Sequence, residues 1–439
     1  MNKWWQRNLG LGYKGVEYNI GPSPDNVVLN LYNEQNYTIT PIWNVIGVIN
    51  GSIPNEVVVV GNHRDAWIIG GAGDPNSGSA VLNEVVRSFG KALAKGWKPL
   101  RTIVFASWDA EEYGLIGSTE WVEEYLPWLT DANVAYLNVD VGVSGPNFKA
   151  SAAPLLHGVL RDVVELVPSP NQTISGQTVA DVWDGRISTM GSGSDFTAFQ
   201  DYAGIASLDM GFKFGGDSAY HYHSNYDNFY WMNHFGDPGF VYHRAMAQVL
   251  NVLIAEISNT AVLQFGATTY ADELDGYLDK VEKAFETGRS VADFSDDEDA
   301  ISALRAVNTS TSETGEPKTF HTHLHRLRAA VSSMRDAAQK VDNEAQWCRE
   351  RIDEGIPWWK FWERIKLGIV LTRTNLKYKK VERAFLYEGG LDGRNWYKHV
   401  VFAPGLWTGY SGGEFRLYPL PFPLSFFLSV ILIPGAGVC

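Results

Sequence analysis

The stretch Val57-Val58-Val59-Val60-Gly61-Asn62-His63-Arg64-Asp65 decides the fold. Four consecutive β-branched residues predict a strand that is buried on both faces, as in a parallel sheet covered by helices. The run then changes into polar residues that include an imidazole and a carboxylate. Because ligands bind at the carboxyl ends of parallel strands, this junction is the first candidate for a functional site.

Two further apolar runs end in the same way. Residues 103–106 lead into Ser107-Trp108-Asp109-Ala110-Glu111-Glu112, and residues 134–139 lead into Asp140. A fourth apolar run, Val45–Ile49, predicts one more strand. A helix is predicted between the strands at 57–60 and 103–106, from the spacing of Leu82, Val85, Val86, Phe89 and Leu93. The alternation predicts an α/β fold, with a mostly parallel sheet and flanking helices.

Such a sheet would bring His63, Glu111, Glu112 and Asp140 to one edge. Imidazole and carboxylate ligands without a thiolate are typical of zinc in hydrolytic sites. Two adjacent glutamates can divide the work, since one can ligate metal while the other transfers protons. An acidic pair after a strand is, taken alone, more often the solvated start of a helix. The convergence of three strand ends favours the metal site.

Three more positions are candidates. Asp65 could hold the His63 imidazole in one tautomer. Asp74 precedes Pro75, which suggests a helix N-cap; its carboxylate could also bridge two metals, and the two roles are compatible. Tyr222-His223 offers a phenol and a further imidazole ligand, although clusters of aromatic residues and histidine more often serve packing.

Composition narrows the function classes. The 439 residues suffice for two to four domains at roughly 100–200 residues each. With 36 Lys+Arg against 50 Asp+Glu, the net charge of −14 argues against nucleic acid as a partner. The two cysteines, Cys348 and Cys439, cannot form a disulfide framework or a cysteine-rich zinc site.

After residue 259 the pattern becomes helical. One amphipathic helix is indicated by Leu274, Leu278, Val281 and Phe285. A longer one is indicated by Leu324, Leu327, Val331, Met334, Ala338 and Val341. Residues 293–318, rich in Ser, Thr, Asp and Glu, are predicted to connect them. We therefore expect an all-α helical-bundle domain that begins near residue 262.

Four segments together resemble a known family. They are Gly61-Asn62-His63-Arg64-Asp65-Ala66-Trp67, Gly73-Asp74-Pro75-Asn76-Ser77-Gly78, residues 107–121 and Tyr222-His223-Ser224. They are similar to the glutamate carboxypeptidase II family and its fungal members, in the transferrin-receptor-like branch of the co-catalytic zinc exopeptidases. The similarity runs from about residue 10 to about residue 415.

The resemblance implies two Zn²⁺ per chain and a role for each ligand. His63 and Asp140 would hold one zinc, Glu112 and His223 the other, and Asp74 would bridge both. Glu111 corresponds to the general base that activates a metal-bridging water, and Tyr222 to the phenol that stabilises the oxyanion. Glu120 and Glu123 correspond to two carboxylates of a structural Ca²⁺ site whose other ligands have no counterpart here. The substrate pocket would include Ser192, Gly193, Ser194, Asp209 and Tyr410.

Transferrin receptors share this fold but have lost zinc ligands, so an inactive scaffold that binds a partner protein is the alternative function. All five ligand positions are retained here, which favours the enzyme. We therefore expect an exopeptidase of the carboxypeptidase or dipeptidase-like kind that acts on small peptides.

The pocket departs from family members that are selective for C-terminal glutamate. Those members use a Lys-Tyr pair, and the corresponding positions here are Gly409 and Tyr410. The arginines that favour acidic residues across the scissile bond correspond to Asp209 and Gly211. The comparison predicts better hydrolysis of peptides with neutral or apolar residues at both positions.

The resemblance also predicts the domain organisation. Residues 1–261 would form the zinc exopeptidase domain without its inserted apical domain, and residues 262–416 a helical domain that mediates homodimerisation. Residues 417–439 form an apolar tail that has no counterpart in the family and is expected to be a gene-model artefact. Family membership and four Asn-x-Ser/Thr sequons, at Asn36, Asn50, Asn171 and Asn308, suggest a glycoprotein of the secretory pathway, vacuolar lumen or cell surface. The membrane anchor of the family would lie upstream of Met1.

Overall fold

The computed structural model describes residues 26, 28–214, 220–287 and 320–405. The chain divides into two compact units, residues 1–41 and 42–439. The described residues of the first unit form no helix or strand. Everything that follows concerns the second unit. The predicted linker 293–318, the apolar tail 417–439 and Tyr410 lie outside the described residues.

A seven-stranded sheet forms the centre of this unit, with strand order β1-β3-β2-β4-β7-β5-β6. The neighbours β2/β3, β2/β4, β4/β7 and β5/β6 are parallel, whereas β1/β3 and β5/β7 are antiparallel. The predicted mostly parallel sheet is therefore confirmed. The strands are β1 Val45–Ile49, β2 Ile53–His63, β3 Arg101–Trp108, β4 Asn133–Asn138, β5 Asn147–Ala152, β6 Ile187–Ser188 and β7 Ser207–Lys213.

Helices lie between the strands and after the last of them. The first six are α1 Asn76–Ala94, α2 Ile116–Glu124, α3 Leu126–Ala132, α4 His157–Glu165, α5 Val179–Val182 and α6 Phe229–Trp231. The remaining four are α7 Val241–Asn259, α8 Ala267–Thr287, α9 Phe320–Glu354 and α10 Phe361–Lys380. Short 3₁₀ or π turns occur at Pro154–Leu156, Ala198–Tyr202, Met232–Gly236 and Glu382–Phe385.

The valine run of β2 is buried on both faces. Val58 and Val60 join the apolar core on the side of α1 and α7. Val57 and Val59 join the core on the other side, with Phe199 and residues of α2 and α3. Alternate side chains of a strand point to opposite faces, so two covered faces require an uninterrupted apolar strand. On α1, by contrast, Val86 and Leu93 are exposed, and the apolar stripe is narrower than predicted.

The predicted helical half forms α8, α9 and α10. Leu274, Leu278 and Val281 of α8 are buried, and they share one continuous core with Leu324 and Val331 of α9. The same core includes residues of the sheet. The domain boundary near residue 262 stays a prediction. Among the helices that the structure describes, none has both the length and the apolar character needed to cross a membrane.

Two strands, β6 and β7, lie within the described part of residues 168–238. Strand β7 lies inside the sheet between β4 and β5, although it was not predicted. Its sequence, SLDMGFK, mixes charged, small and apolar residues because one of its faces lies at the functional edge of the sheet.

Arg101 links the sheet to the end of α7. Its guanidinium is buried and bonds Glu56 at 2.6 Å, and it also donates to the carbonyl oxygens of Ile257, Thr260 and Ala261. These bonds join the start of β3 to the segment that leads into α8. Removing the guanidinium would leave Glu56 and the carbonyl groups of Ile257 and Thr260 without this donor, whereas the carbonyl oxygen of Ala261 would keep its bond from Asn375 Nδ2.

We expect Arg101→Met to lower the free energy of unfolding by about 3 kcal/mol, as for other broken buried ion pairs. Urea denaturation followed by circular dichroism measures this. Arg87→Met is the matched control, because Arg87 pairs with Glu84 on the exposed side of α1. Equal denaturation midpoints for the two variants would contradict the structural role of Arg101.

Candidate metal centre

Three parallel strands deliver the predicted ligands to one edge of the sheet. His63 is the last residue of β2 and lies in register with Trp108, the last residue of β3. Asp140 follows the end of β4 by two residues, and Glu111 and Glu112 follow Trp108. The structure thus brings together residues that are 77 positions apart in sequence, because parallel strands end at the same edge.

The candidate ligands form two groups. One group contains His63, Glu111 and Asp140, and the other contains Asp74, Glu112 and His223. Within each group the ligand atoms lie within 4.8 Å of one another. His63 Nε2 lies 3.0 Å from Asp140 Oδ1, and His223 Nε2 lies 3.1 Å from Glu112 Oε2.

Asp74 lies between the two groups. Its Oδ1 is 3.2 Å from His63 Nε2, and its Oδ2 is 3.2 Å from His223 Nε2. The predicted role as a helix N-cap is wrong, because α1 begins at Asn76, Pro75 occupies the cap position and no side chain caps the helix. One carboxylate therefore faces both imidazoles, which is the arrangement that a bridging ligand needs.

Asp65 orients its neighbours in a different way from the one predicted. The Nδ1 atom of His63 bonds the main-chain carbonyl oxygen of Asp65 at 2.9 Å, whereas the Asp65 carboxylate is 3.6 Å away. Since a carbonyl oxygen only accepts hydrogen bonds, Nδ1 carries the proton and Nε2 faces the carboxylates. The Asp65 carboxylate accepts the main-chain N–H groups of Glu111 and Glu112, both at 3.1 Å. It thereby fixes the loop that carries both glutamates.

The loop after β3 turns sharply to present those glutamates. Ala110 has φ of 58°, a left-handed conformation that is uncommon outside glycine. Burial, together with the negative charge of Asp140, raises the pKa of Glu111 to about 10. Burial and the charge of Asp74 raise the pKa of Glu112 to about 7. Both shifts show that the carboxylates crowd one another in a poorly hydrated site.

The donor set fits divalent cations. Asp74, Glu111, Glu112 and Asp140 meet at one place, where His63 and His223 are the only basic groups in the two ligand clusters. Four carboxylates with so little compensating charge repel one another at short range. Nitrogen and oxygen ligands without sulfur suit zinc and related metals.

Asp227 was not recognised from the sequence. It is buried, and its carboxylate accepts the main-chain N–H groups of Gly73 at 2.7 Å and of Asp74 at 3.0 Å. It also accepts the hydroxyl of Tyr220 at 3.0 Å. The loop that carries Asp74 is therefore tied to the segment that carries His223. Asp227 stands 153 residues from Asp74, so no local pattern in the sequence could reveal this bond.

Asp209 lies behind Asp140 on the neighbouring strand. Its Oδ1 accepts hydrogen bonds from Asn138 Nδ2 at 2.9 Å and from the main-chain N–H of Asp140 at 3.3 Å. Asn138 also donates to the Ser194 hydroxyl at 2.9 Å. Asp209 therefore holds the Asp140 turn in place as well as lining the cavity.

The ligands open into a cavity of about 740 Å³. Ser192, Gly193, Ser194 and Asp209 line it, as the sequence predicted for the substrate pocket. Tyr222 also lines the cavity, and its ring stacks on the His223 imidazole with centroids 3.6 Å apart. Trp67, Leu115, Phe196 and Tyr397 add apolar wall.

The predicted calcium ligands lie elsewhere. Glu120 and Glu123 are exposed on α2, and Glu123 Oε1 accepts a hydrogen bond from Trp396 Nε1 at 2.7 Å. They belong to neither ligand group found among the described residues.

Fold and site together define an α/β protein with carboxylate–imidazole clusters at its strand ends that could hold metal ions. Family comparison specifies the class. Residues 44–234 match the model of peptidase family M28, and residues 322–416 match the transferrin receptor-like dimerisation domain. The chain combines these two family segments, and the resemblance inferred from its motifs is confirmed.

Three curated relatives are similar to large parts of this chain. A probable glutamate carboxypeptidase of Arthroderma benhamiae is 40% identical over 93% of this chain and 51% of its own length. Aminopeptidase NAALADL1 of Mus musculus is 36% identical over 65% of this chain and 41% of its own length. Vacuolar protein sorting-associated protein 70 of Saccharomyces cerevisiae is 30% identical over 89% of this chain and 46% of its own length. The chain spans about half the length of the curated relatives it matches.

We expect Asp227→Ala to weaken the affinity for Zn²⁺ by about 10–100-fold, because Asp74 would lose the bonds that fix its loop. Competition with a chromophoric chelator measures the affinity. Tyr220→Phe is the matched control, since it removes one bond to Asp227 and leaves both main-chain bonds. Unchanged affinity in Asp227→Ala, with the fold intact by circular dichroism, would show that Asp227 does not support the centre.

Proposed function

We propose that this protein is a metal-dependent exopeptidase that binds two zinc ions. The observation that carries the proposal is the pair of His–carboxylate groups joined by Asp74. His63 and Asp140 would hold one ion, Glu112 and His223 the other, and Asp74 would contact both. When bound, the zinc ions supply Lewis acidity at the carbonyl group of the scissile bond.

Glu111 is the proposed general base. Glu112 Oε2 lies 3.1 Å from His223 and Glu112 Oε1 accepts the main-chain N–H of Trp67, so Glu112 is oriented as a ligand. Glu111 is buried at the cavity wall and forms no ion pair with a described residue. With cations bound beside it to offset the neighbouring negative charges, Glu111 would be ionised and could take a proton from a water molecule that enters the cavity and pass it to the leaving amine.

Substrate binding is assigned to the other cavity walls. Tyr222 is half exposed there and held by its stacking on His223, so its hydroxyl can donate to the oxyanion. Ser192, Gly193 and Ser194 form an adjoining wall that suits the main chain of a small peptide. The names of the relatives, carboxypeptidase and aminopeptidase, support the action of an exopeptidase.

The receptor-like scaffold is not favoured, because a scaffold has no need to converge four carboxylates in a buried site. The name of the yeast relative and the four sequons support a vacuolar or secretory location.

Homodimerisation through the helical segment is the second part of the proposal. The dimerisation-domain match includes α10, one side of which is apolar and exposed. The exposed large apolar residues on this side are Phe361, Trp362, Ile365, Ile369 and Leu376. Since contiguous exposed apolar surface marks interaction sites, we assign this side to contact with a second copy of the chain.

Glu111→Gln should keep zinc content near that of the wild type while kcat falls by roughly 10²–10⁴-fold, because the amide cannot accept the proton. Asp74→Ala is the matched comparison, and it should lose zinc and activity together. Metal analysis after gel filtration and hydrolysis of a panel of dipeptides give both readouts. Loss of zinc in Glu111→Gln would mean that the roles of the two glutamates are reversed.

A charge on the exposed side of α10 should convert a dimer into a monomer, because burying it would cost more than the contact gains. Trp362 and Ile174 have the same exposed fraction, 71%. We therefore compare Trp362→Glu with Ile174→Glu by light scattering. The first should halve the particle mass and the second should not. A dimeric Trp362→Glu, or a monomeric wild type, would refute this assignment.

A further inference from the structure

The cavity carries a cation that the proposed mechanism does not use. Among the described residues that line it, Lys213 is the single one with an ammonium or guanidinium group. We propose that Lys213 binds a carboxylate group of the peptide substrate and so determines specificity. This proposal rests on the proposed peptidase function and names the substrate class as peptides with an anionic group next to the scissile bond.

The strand geometry directs Lys213 towards the metal ligands. Residues 209, 211 and 213 alternate along β7 and lie on the same face of the sheet. A Cβ atom placed on Gly211 would clash with the main-chain oxygen of Val141 and would also lie 3.1 Å from Lys213 Cε, which is tighter than ordinary van der Waals contact. Glycine at 211 thus leaves room for the lysine side chain to lie back along the strand towards Asp209 and Asp140.

The ammonium group keeps hydrogen-bonding capacity. It donates to the main-chain carbonyl oxygen of Val141 at 2.7 Å, and the described residues provide it with no ion pair. An ammonium group has three N–H donors, so two remain for a ligand. The bond to Val141, beside the ligand Asp140, also holds the group at a fixed place.

The surrounding charges favour an anion once the metal centre is filled. Lys213 acts electrostatically on both Asp140 and Asp209. Asp140 would give its charge to a cation, and Asp209 Oδ1 is already bonded by Asn138 and by the main-chain N–H of Asp140. Asp209 is then the remaining carboxylate on which Lys213 acts, and the ammonium group keeps two N–H donors for a substrate carboxylate. A bond between an ammonium and a carboxylate is stronger than a neutral hydrogen bond.

This inference changes the specificity predicted from the sequence. Gly409 removes the family lysine, and the sequence comparison therefore predicted a preference for neutral peptides. Lys213 is the last residue of β7, almost 200 positions before Gly409 in the chain, and could supply the missing charge.

The test compares zinc-loaded wild type with Lys213→Met, using dipeptides that differ in one carboxylate. Ala-Glu against Ala-Gln and Glu-Ala against Gln-Ala probe the side-chain carboxylate on each side of the bond. Free acids against C-terminal amides probe the α-carboxylate. Lys149→Met is the matched control, because Lys149 lies on the adjacent strand β5, pairs with Asp184 and is absent from the cavity lining. Lys213→Arg tests whether another positively charged side chain restores the preference for the anionic peptide.

In at least one pair, the wild type should prefer the anionic peptide, and Lys213→Met should reduce that preference by about 10-fold or more, mainly through KM. Lys149→Met should leave the preference unchanged, and Lys213→Arg should restore part of it. The pair that responds identifies which carboxylate is bound. Equal losses for anionic and neutral peptides, or no preference in the wild type, would overturn the role of Lys213 while leaving the peptidase function standing. If no variant cleaves any peptide although zinc is bound, the proposed function itself fails.

Discussion

Repulsion among buried carboxylates is the constraint on which this structure depends. Asp74, Glu111, Glu112 and Asp140 occupy one small region beside two imidazoles. Like charges in a poorly hydrated site are costly, and the raised pKa values of Glu111 and Glu112 express that cost. Divalent cations would offset the cost, so the same residues that destabilise the empty protein would favour metal binding.

The fold holds the ligand loops in place through their main-chain N–H groups. These groups are bound by Asp65 on one side of the site and by Asp227 on the other. Each of these outer carboxylates accepts two consecutive N–H groups of a loop that carries a candidate ligand. The sheet supplies the common edge, and the valine core on both faces of β2 keeps that edge rigid. Loops that carry ligands are thus anchored at both ends.

The sequence was sufficient to predict whatever depends on local pattern. The valine run of β2, the strand ends with their polar residues and the apolar stripes of α8 and α9 all follow periodicities that a single segment reveals. The sequence was not sufficient where the role of a residue depends on partners that are distant in the chain. Strand β7 lacks an apolar run because one face serves the site, and Asp227 acts on residues far away in the chain. Lys213 was overlooked for the same reason, since its position in the cavity depends on Gly211 and Val141.

The central claim is that two metal ions bind, one on each side of Asp74. The most direct measurement is a crystal structure of the zinc-loaded protein with anomalous diffraction data collected on both sides of the zinc absorption edge. We expect two anomalous difference peaks, one on each side of the Asp74 carboxylate. One should lie beside His63 and Asp140 and the other beside Glu112 and His223. The absence of both peaks, or a single peak in which Asp74 takes no part, would contradict this claim.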